Sequence, residues 1–235
     1  MRALIFAAGL GTRMRPLTDH TPKPLLEAAG KPLIAWHLEK LSALGIREVV
    51  INTAHLGARF PQLLGNGAHW GLRLHYAYEG EVPLETGGGM LNALDQLGDA
   101  PFLAINGDIW TDFDFATLPA APRDQAHLVL VDNPEHHPHG DFRLDVHGGL
   151  HDDEAGPRLT FAGIGLYRPQ LLEHWRAVVG DTQGARRQPP AFGLAPLLRA
   201  AMSAGRVDGQ HHGGRWTDVG TPQRLEMLDK TLRTR

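Results

Sequence analysis

Near the N-terminus, two glycines and two cations stand in an order that suits a bound polyphosphate. Ala7-Ala8-Gly9-Leu10-Gly11-Thr12-Arg13 follows a short apolar run, and Thr21-Pro22-Lys23-Pro24-Leu25 comes soon after. At Gly9 and Gly11 no side chain keeps phosphate oxygens from the backbone amides. Arg13 brings a planar fork of donors, and Lys23, stiffened between two prolines, brings a compact second charge. Two other phosphate loops do not fit. A dinucleotide fingerprint needs glycine three places after the second one, where Met14 stands, and an acidic residue near the end of the second strand, where Asn52 stands. A Walker loop needs Gly-Lys-Ser/Thr, which the chain lacks.

The spacing Gly-x-Gly-Thr-Arg-Met-x-Pro-Leu-Thr, then Pro-Lys-Pro-Leu, resembles the signature of the sugar-1-phosphate nucleotidyltransferases. Asn106-Gly107-Asp108 and Trp216-Thr217-Asp218-Val219-Gly220-Thr221 recur where that family has its later motifs. The resemblance implies that Ala8, Gly9, Gly11, Thr12, Arg13 and Lys23 hold the nucleotide, with Arg13 and Lys23 as the catalytic cations. It also implies that Asp108 and Asp218 hold Mg²⁺, which accepts one or two carboxylates together with phosphate and water oxygens. Leu84-Glu85-Thr86-Gly87-Gly88-Gly89 lies where the family reads the base, so Thr86 and Gly87 join the nucleotide set. Glu79 and Glu81 are candidates for the imino proton of the base. Asn106, Gly140, Glu154 and Thr160 fall at positions that meet the sugar. The Glu-Thr-Gly-Gly-Gly loop and Gly140-Asp141-Phe142 most resemble the branch that transfers UMP from UTP to N-acetylmuramic acid 1-phosphate in cell-wall recycling. Glucose-, mannose- or heptose-type 1-phosphates with UTP or GTP are the alternatives, and an inactive nucleotide-sugar-binding subunit is a third reading. Against that last reading, Arg13, Lys23, Asp108 and Asp218 are all present.

One departure stands out. The chain has only four lysines, Lys23, Lys31, Lys40 and Lys230, so the second lysine that hexose-1-phosphate relatives place on the sugar phosphate is missing. Arg143, Arg158, Arg186 and Arg187 are the candidate replacements. The 14 histidines, among them His136-His137-Pro138-His139 and His211-His212, lack helical metal spacing and read as solvated loop residues.

These residues need a frame that brings them together. Apolar runs at Arg2–Ala8, Glu48–Thr53, Leu72–Tyr78 and Pro101–Ile105 read as buried strands. Pro32–Leu44 and Thr86–Leu97 read as the helices between them. Beyond Asp108 come strands at Ala126–Val131 and Leu159–Tyr167, then helices at Gln170–Val178 and Leu194–Ala204. The last helix starts with Thr221 as N-cap and Pro222 as its first residue. The alternation predicts an α/β, Rossmann-like, mainly parallel sheet. With the resemblance this is the nucleotidyltransferase (glycosyltransferase A-like) type, one domain over 1–235 with a nucleotide-binding half (1–111) and a sugar-binding half (112–235). Loops after Ala8, Thr53, Tyr78 and Ile105 should converge beyond the carboxyl ends of the strands.

Bulk properties narrow the partners. With 42% hydrophobic residues in a 235-residue chain, a core can form without staples, and the absence of cysteine removes thiolate metal sites and thiol nucleophiles. A formal charge of -3 with no basic run argues against nucleic acid as partner. No stretch approaches the roughly 20 apolar residues that span a bilayer, and Ala3–Gly11 is unlike a signal peptide. A soluble cytoplasmic protein, free of membrane contact, is expected, with UTP and a sugar 1-phosphate as partners; homo-oligomerisation is left open.

Overall fold

The computed structural model describes residues 1–234. From the N-terminus, β1 (Ala3–Phe6) leads through short 3₁₀ turns to the hairpin β2 (Glu27–Ala28) and β3 (Lys31–Pro32) and then α1 (Leu33–Ala43). Next come β4 (Glu48–Thr53), α2 (Arg59–Leu64), β5 (Arg73–Tyr78), α3 (Glu85–Leu97) and β6 (Phe102–Asn106). The second half holds β7 (Ile109–Thr111), β8 (Ala126–Val131), the hairpin β9 (Arg143–Leu144) and β10 (Leu150–His151), and β11 (Thr160–Tyr167). It ends with α4 (Trp175–Val179), α5 (Ala195–Ser203), β12 (Val207–His212), β13 (Trp216–Asp218) and α6 (Pro222–Arg233).

Seven strands form one sheet in the order β12-β8-β11-β6-β1-β4-β5. All pairs are parallel except those of β11, which opposes both β6 and β8. The mainly parallel α/β expectation is met. Strand order reverses between β1 and β6, so a crevice opens beyond their carboxyl ends at the switch point.

The apolar runs are continuous because helices cover both faces of the sheet. On one face Leu4, Val50, Phe102 and Ala104 pack against Met90, Ala93 and Leu97 of α3 and against α5. On the other, Ile5, Val49, Ile51 and Ile105 pack against Ile34, Leu38 and Leu41 of α1 and against Phe60 and Leu64 of α2. A third cluster joins Met14, Leu26, Leu33, Trp110, Val219 and Leu228. It binds the N-terminal signature loop to β7, to the turn after β13 and to α6.

Two expectations are corrected. The helix expected over 170–178 is broken into a 3₁₀ turn at Pro169–Leu172 and the short α4. His211-His212 belongs to an edge strand rather than a loop: β12 pairs in parallel with β8. Its polar residues hide the strand pattern, yet Asp208 is opposite His127 in the register and holds its Nδ1 at 2.7 Å.

Helix α1 grips the segment after Asp108 through polar contacts. Fully buried His37 donates Nε2–H to the Ile109 carbonyl at 2.9 Å, and Lys40 Nζ donates to the carbonyls of Thr111 and Phe113 at 2.8 and 2.9 Å. Burial pushes the His37 pKa down to about 4. Because the unfolded imidazole titrates near about 6.5, the unfolded chain binds the extra proton between those values. Stability is therefore complete above that range and falls as pH drops towards about 4, by up to about 3 kcal/mol. We expect His37→Gln, which keeps a donor, to flatten this acid dependence in urea unfolding followed across pH 7.5 to 4.5. An equally steep acid loss in the variant would assign it to other groups.

Candidate functional site

A cleft of roughly 480 Å³ opens at the switch point, lined by residues 6–14, Lys23, Pro24, Asn52, Glu79, Pro83, Glu85, Thr86, Asn106, Asp108 and Gly220. Each element delivers its residue for a local reason. The chain leaves β1 through the glycine loop, where Gly11 takes φ +62°, and turns into a 3₁₀ turn at Thr12–Met14. Buried Thr18 donates its hydroxyl to the Gly11 carbonyl at 2.8 Å, and fully buried Met14 plugs the third cluster. Arg13, between these anchors, is left exposed at the cleft. Lys23 begins a 3₁₀ turn after Pro22 and is buried. Its Nζ lies 2.5 Å from Asp108 Oδ2.

At the base end, an ordered polar chain runs inward from the strand tips. The Ala7 amide donates to Asn52 Oδ1 at 2.6 Å, Asn52 Nδ2 donates to Glu79 Oε1 at 2.6 Å, and the Leu84 amide donates to Glu79 Oε2 at 2.8 Å. Burial raises the Glu79 pKa, while the Leu84 and Asn52 hydrogen bonds oppose that rise. Both Glu79 oxygens thus hold the wall together.

The triple glycine is explained by close approach. A Cβ at Gly88 would lie 2.4 Å from the Pro190 carbonyl oxygen, and one at Gly89 would lie 2.5 Å from Glu79 Oε1. Only bare backbone lets α3 pack against the 190–193 segment and against the Asn52–Glu79 pair.

β7 and β13 bring the backbones at Asp108 and Asp218 together. Asp218 pairs with Ile109 in that two-stranded ladder, and the Val219 amide donates to the Asp108 carbonyl at 2.8 Å. Asp218 is not among the residues lining the cleft, while Gly220, two residues on, is. Asp218 Oδ1 meets Arg224 Nη1 at 2.6 Å and His136 Nε2 at 2.8 Å.

Ala8, Gly9, Gly11, Thr12, Arg13, Lys23, Glu79, Thr86, Asn106 and Asp108 are therefore gathered in one cleft. Gly87 is not among the lining residues: its amide donates to the Phe192 carbonyl at 2.9 Å. Glu81 accepts from Tyr78 and lines a neighbouring hollow with Thr53 and Ala54. The loop after Thr53 thus diverges from the cleft, which is reached by Asn52 instead. Gly140, Glu154 and Thr160 lie outside the cleft walls. Gly140 turns tightly against Arg158 and Asn133, Thr160 is buried and donates to Asn133 Oδ1 at 2.8 Å, and Glu154 is exposed. Sequence reasoning named neither Asn52 as a cleft residue nor His136 and Arg224 as partners of Asp218. Only Asn52 carried a signal, as the first polar side chain after the apolar Val49-Val50-Ile51 run.

Chemically, the arrangement can bind a polyanion. It offers an uncrowded backbone loop, an exposed guanidinium, a buried ammonium and a carboxylate at one crevice. Among the described residues, no group of three or more His, Cys, Asp or Glu side chains gathers as a metal cluster. Two oxygen-donor carboxylates near a phosphate loop suit Mg²⁺, which takes few protein ligands.

Known proteins share these features. The family model described as nucleotidyl transferase matches residues 2–144. An N-acetylmuramate alpha-1-phosphate uridylyltransferase from Neisseria meningitidis serogroup B is 47% identical over 96% of this chain and 96% of its own length. A protein of the same name from Caulobacter vibrioides is 34% identical over 94% of this chain and 92% of its own. Among solved structures, a putative glucose-1-phosphate thymidylyltransferase from Bacillus anthracis, in complex with sucrose, superposes with a TM-score of 0.77 at 20% identity. That alignment covers 99% of this chain and 95% of the other, and it establishes the shared fold. The glycine loop with Arg13 and Lys23, on a sheet with this switch point, is thus joined by family-model and near-full-length matches, and the chain belongs to the nucleotidyl transferase family.

Proposed function

We propose that the protein transfers UMP from UTP to N-acetylmuramic acid 1-phosphate, releasing pyrophosphate and giving UDP-N-acetylmuramic acid for peptidoglycan recycling in the cytoplasm. The observation that carries the reaction class is the convergence of Arg13, Lys23 and Asp108 on one cleft at the switch point. The sugar and base rest on the two near-full-length relatives that bear that activity in their names.

A phosphate oxygen of the sugar bonds to the α-phosphorus of UTP. The α–β bridging bond breaks, and its electron pair leaves with pyrophosphate. The attacking oxygen is already anionic at neutral pH, so the protein supplies no general base. What it must supply is in-line placement of two polyanions and cover for their charge. The glycine loop amides receive the triphosphate. Arg13 faces the β- and γ-phosphates, where charge grows as pyrophosphate departs. Lys23, aimed by Asp108, offsets repulsion between the α-phosphate and the incoming sugar phosphate. Asp108 and Asp218 would hold Mg²⁺, which when bound supplies charge neutralisation and a template for the phosphate oxygens. The wall of Asn52 and Glu79 shapes the nucleoside end of the cleft.

Three outcomes follow. With the four NTPs set against a panel of sugar 1-phosphates, pyrophosphate release should be fastest for UTP with N-acetylmuramic acid 1-phosphate. A faster rate with GTP or with glucose 1-phosphate moves the substrate assignment to the mannose- or glucose-type enzymes. Lys23→Ala should lower kcat/KM by about 10²–10³-fold while cooperative unfolding is retained, as expected for one lost transition-state donor. Near-wild-type turnover would remove Lys23 from the chemistry. Asp108→Asn should raise the Mg²⁺ concentration needed for half-maximal rate, and turnover that persists in excess EDTA would contradict a divalent metal.

A further inference from the structure

We propose that Arg224 is the cation that receives the phosphate of the sugar substrate, in place of the lysine that this chain lacks. The inference rests on the transfer reaction proposed above. Arg13 faces the nucleotide and Lys23 is shared between the α-phosphate and the sugar phosphate, so an incoming dianion needs a further positive partner of its own.

The arginines expected to fill this role are mostly committed elsewhere. Arg143 makes a bidentate pair with Asp153 at 2.6 and 2.7 Å, and Arg186 makes one with Asp181 at 2.6 and 2.5 Å. Arg158 is held by Asp152 at 2.8 Å and by the Asp141 carbonyl. Arg187 is exposed on the 184–191 segment, away from every residue that lines the cleft, whereas Arg224 packs on one of them, Gly220. Among the lysines, Lys40 is spent on the Thr111 and Phe113 carbonyls, and only Lys23 reaches the cleft.

Arg224 differs in both position and bonding. Its side chain is 18% exposed, yet its hydrogen bonds to side chains all leave from Nη1, towards Asp218 and His136. Among the described residues, Nε and Nη2 donate to no partner. Nη2 lies against the backbone of Gly220, a cleft-lining residue: a Cβ there would be 2.0 Å from it. Arg224 itself lines a neighbouring hollow with Trp110, Trp216 and Met227, and the bare backbone of Gly220 is what lets its guanidinium pack directly behind the cleft. A guanidinium with a fixed edge in use and a second edge free suits a phosphate, which takes paired N–H donors. Asp218 explains why the group stays in place. It aims Arg224 from one side and His136 flanks the pair from the other, so the fork is set before substrate arrives.

The test is steady-state kinetics of the full chain with Mg²⁺, varying UTP and sugar 1-phosphate separately, for wild type, Arg224→Gln and Arg224→Lys. Loss of charged hydrogen bonds predicts a rise in the KM for sugar 1-phosphate of about 10–100-fold in Arg224→Gln, with the KM for UTP moved by less than about threefold. Arg224→Lys, which keeps the charge and loses the fork, should recover part of that loss and guards against a Gln variant that fails to fold. The same rise is expected with N-acetylglucosamine 1-phosphate, because the contact is to the phosphate; a rise confined to the lactyl sugar overturns the assignment. Equal rises in both KM values overturn it too, as does a raised Mg²⁺ requirement with an unmoved sugar KM. Absence of any sugar 1-phosphate turnover by the wild type overturns the transfer reaction itself, a result these variants cannot mimic.

Discussion

The ion pair between Lys23 and Asp108, closed at 2.5 Å, is the interaction on which the rest of the arrangement depends. Burying an ammonium alone costs several kcal/mol, so Lys23 can sit inside the cleft only because a carboxylate meets it there. The two residues come from different loops, and the fold spends much of its design on their meeting. β1 and β6 are neighbours, which places the loops after them side by side. Met14 anchors the first loop in the same small cluster as Trp110 and Val219. His37 and Lys40 of α1 fix the strand that follows Asp108. Charge placement at the cleft is thus a result of apolar packing behind it.

The second carboxylate obeys the same logic. Asp218 is carried by β13, whose ladder partner is β7, the strand that begins beside Asp108. The N-terminal signature, Asn106-Gly107-Asp108 and Trp216–Thr221 are far apart in sequence, yet they share one cluster of side chains through Met14, Trp110 and Val219. A cluster of this kind explains why the methionine of the signature and the valine of the last motif are apolar at all. Neither has a direct part in the chemistry.

Much of this was legible in the sequence, for local reasons. The glycine loop, Arg13 and Lys23 lie within fifteen residues of one another, and a phosphate imposes its demands on neighbouring amides and cations. Strands buried on both faces betray themselves as apolar runs, so β4 and β8 were bounded correctly. β12 was not visible, because an edge strand built from Val-Asp-Gly-Gln-His-His has little apolar pattern and is specified by its partner, through Asp208 and His127. How Gly87, Gly140 and Thr160 pack was hidden for a related reason. Their contacts, with Phe192, Arg158 and Asn133, exist only once distant segments are packed. The trio of His136, Asp218 and Arg224 draws on three separate segments, and no spacing rule connects them.

What the cleft contains, and how it is built, points to chemistry by placement: cations and amides held where two polyanions must meet, and a nucleophile brought by the substrate. In the proposed reaction UMP passes directly from UTP to the sugar phosphate, with no nucleotide ever bonded to the protein. The most direct test is the stereochemical course at the α-phosphorus, read by ³¹P NMR of the product formed from a single diastereomer of UTP carrying sulfur at that phosphorus. One in-line displacement inverts the configuration, and inversion is the result this account predicts. Retention, the signature of two successive displacements through a uridylylated side chain, would contradict it.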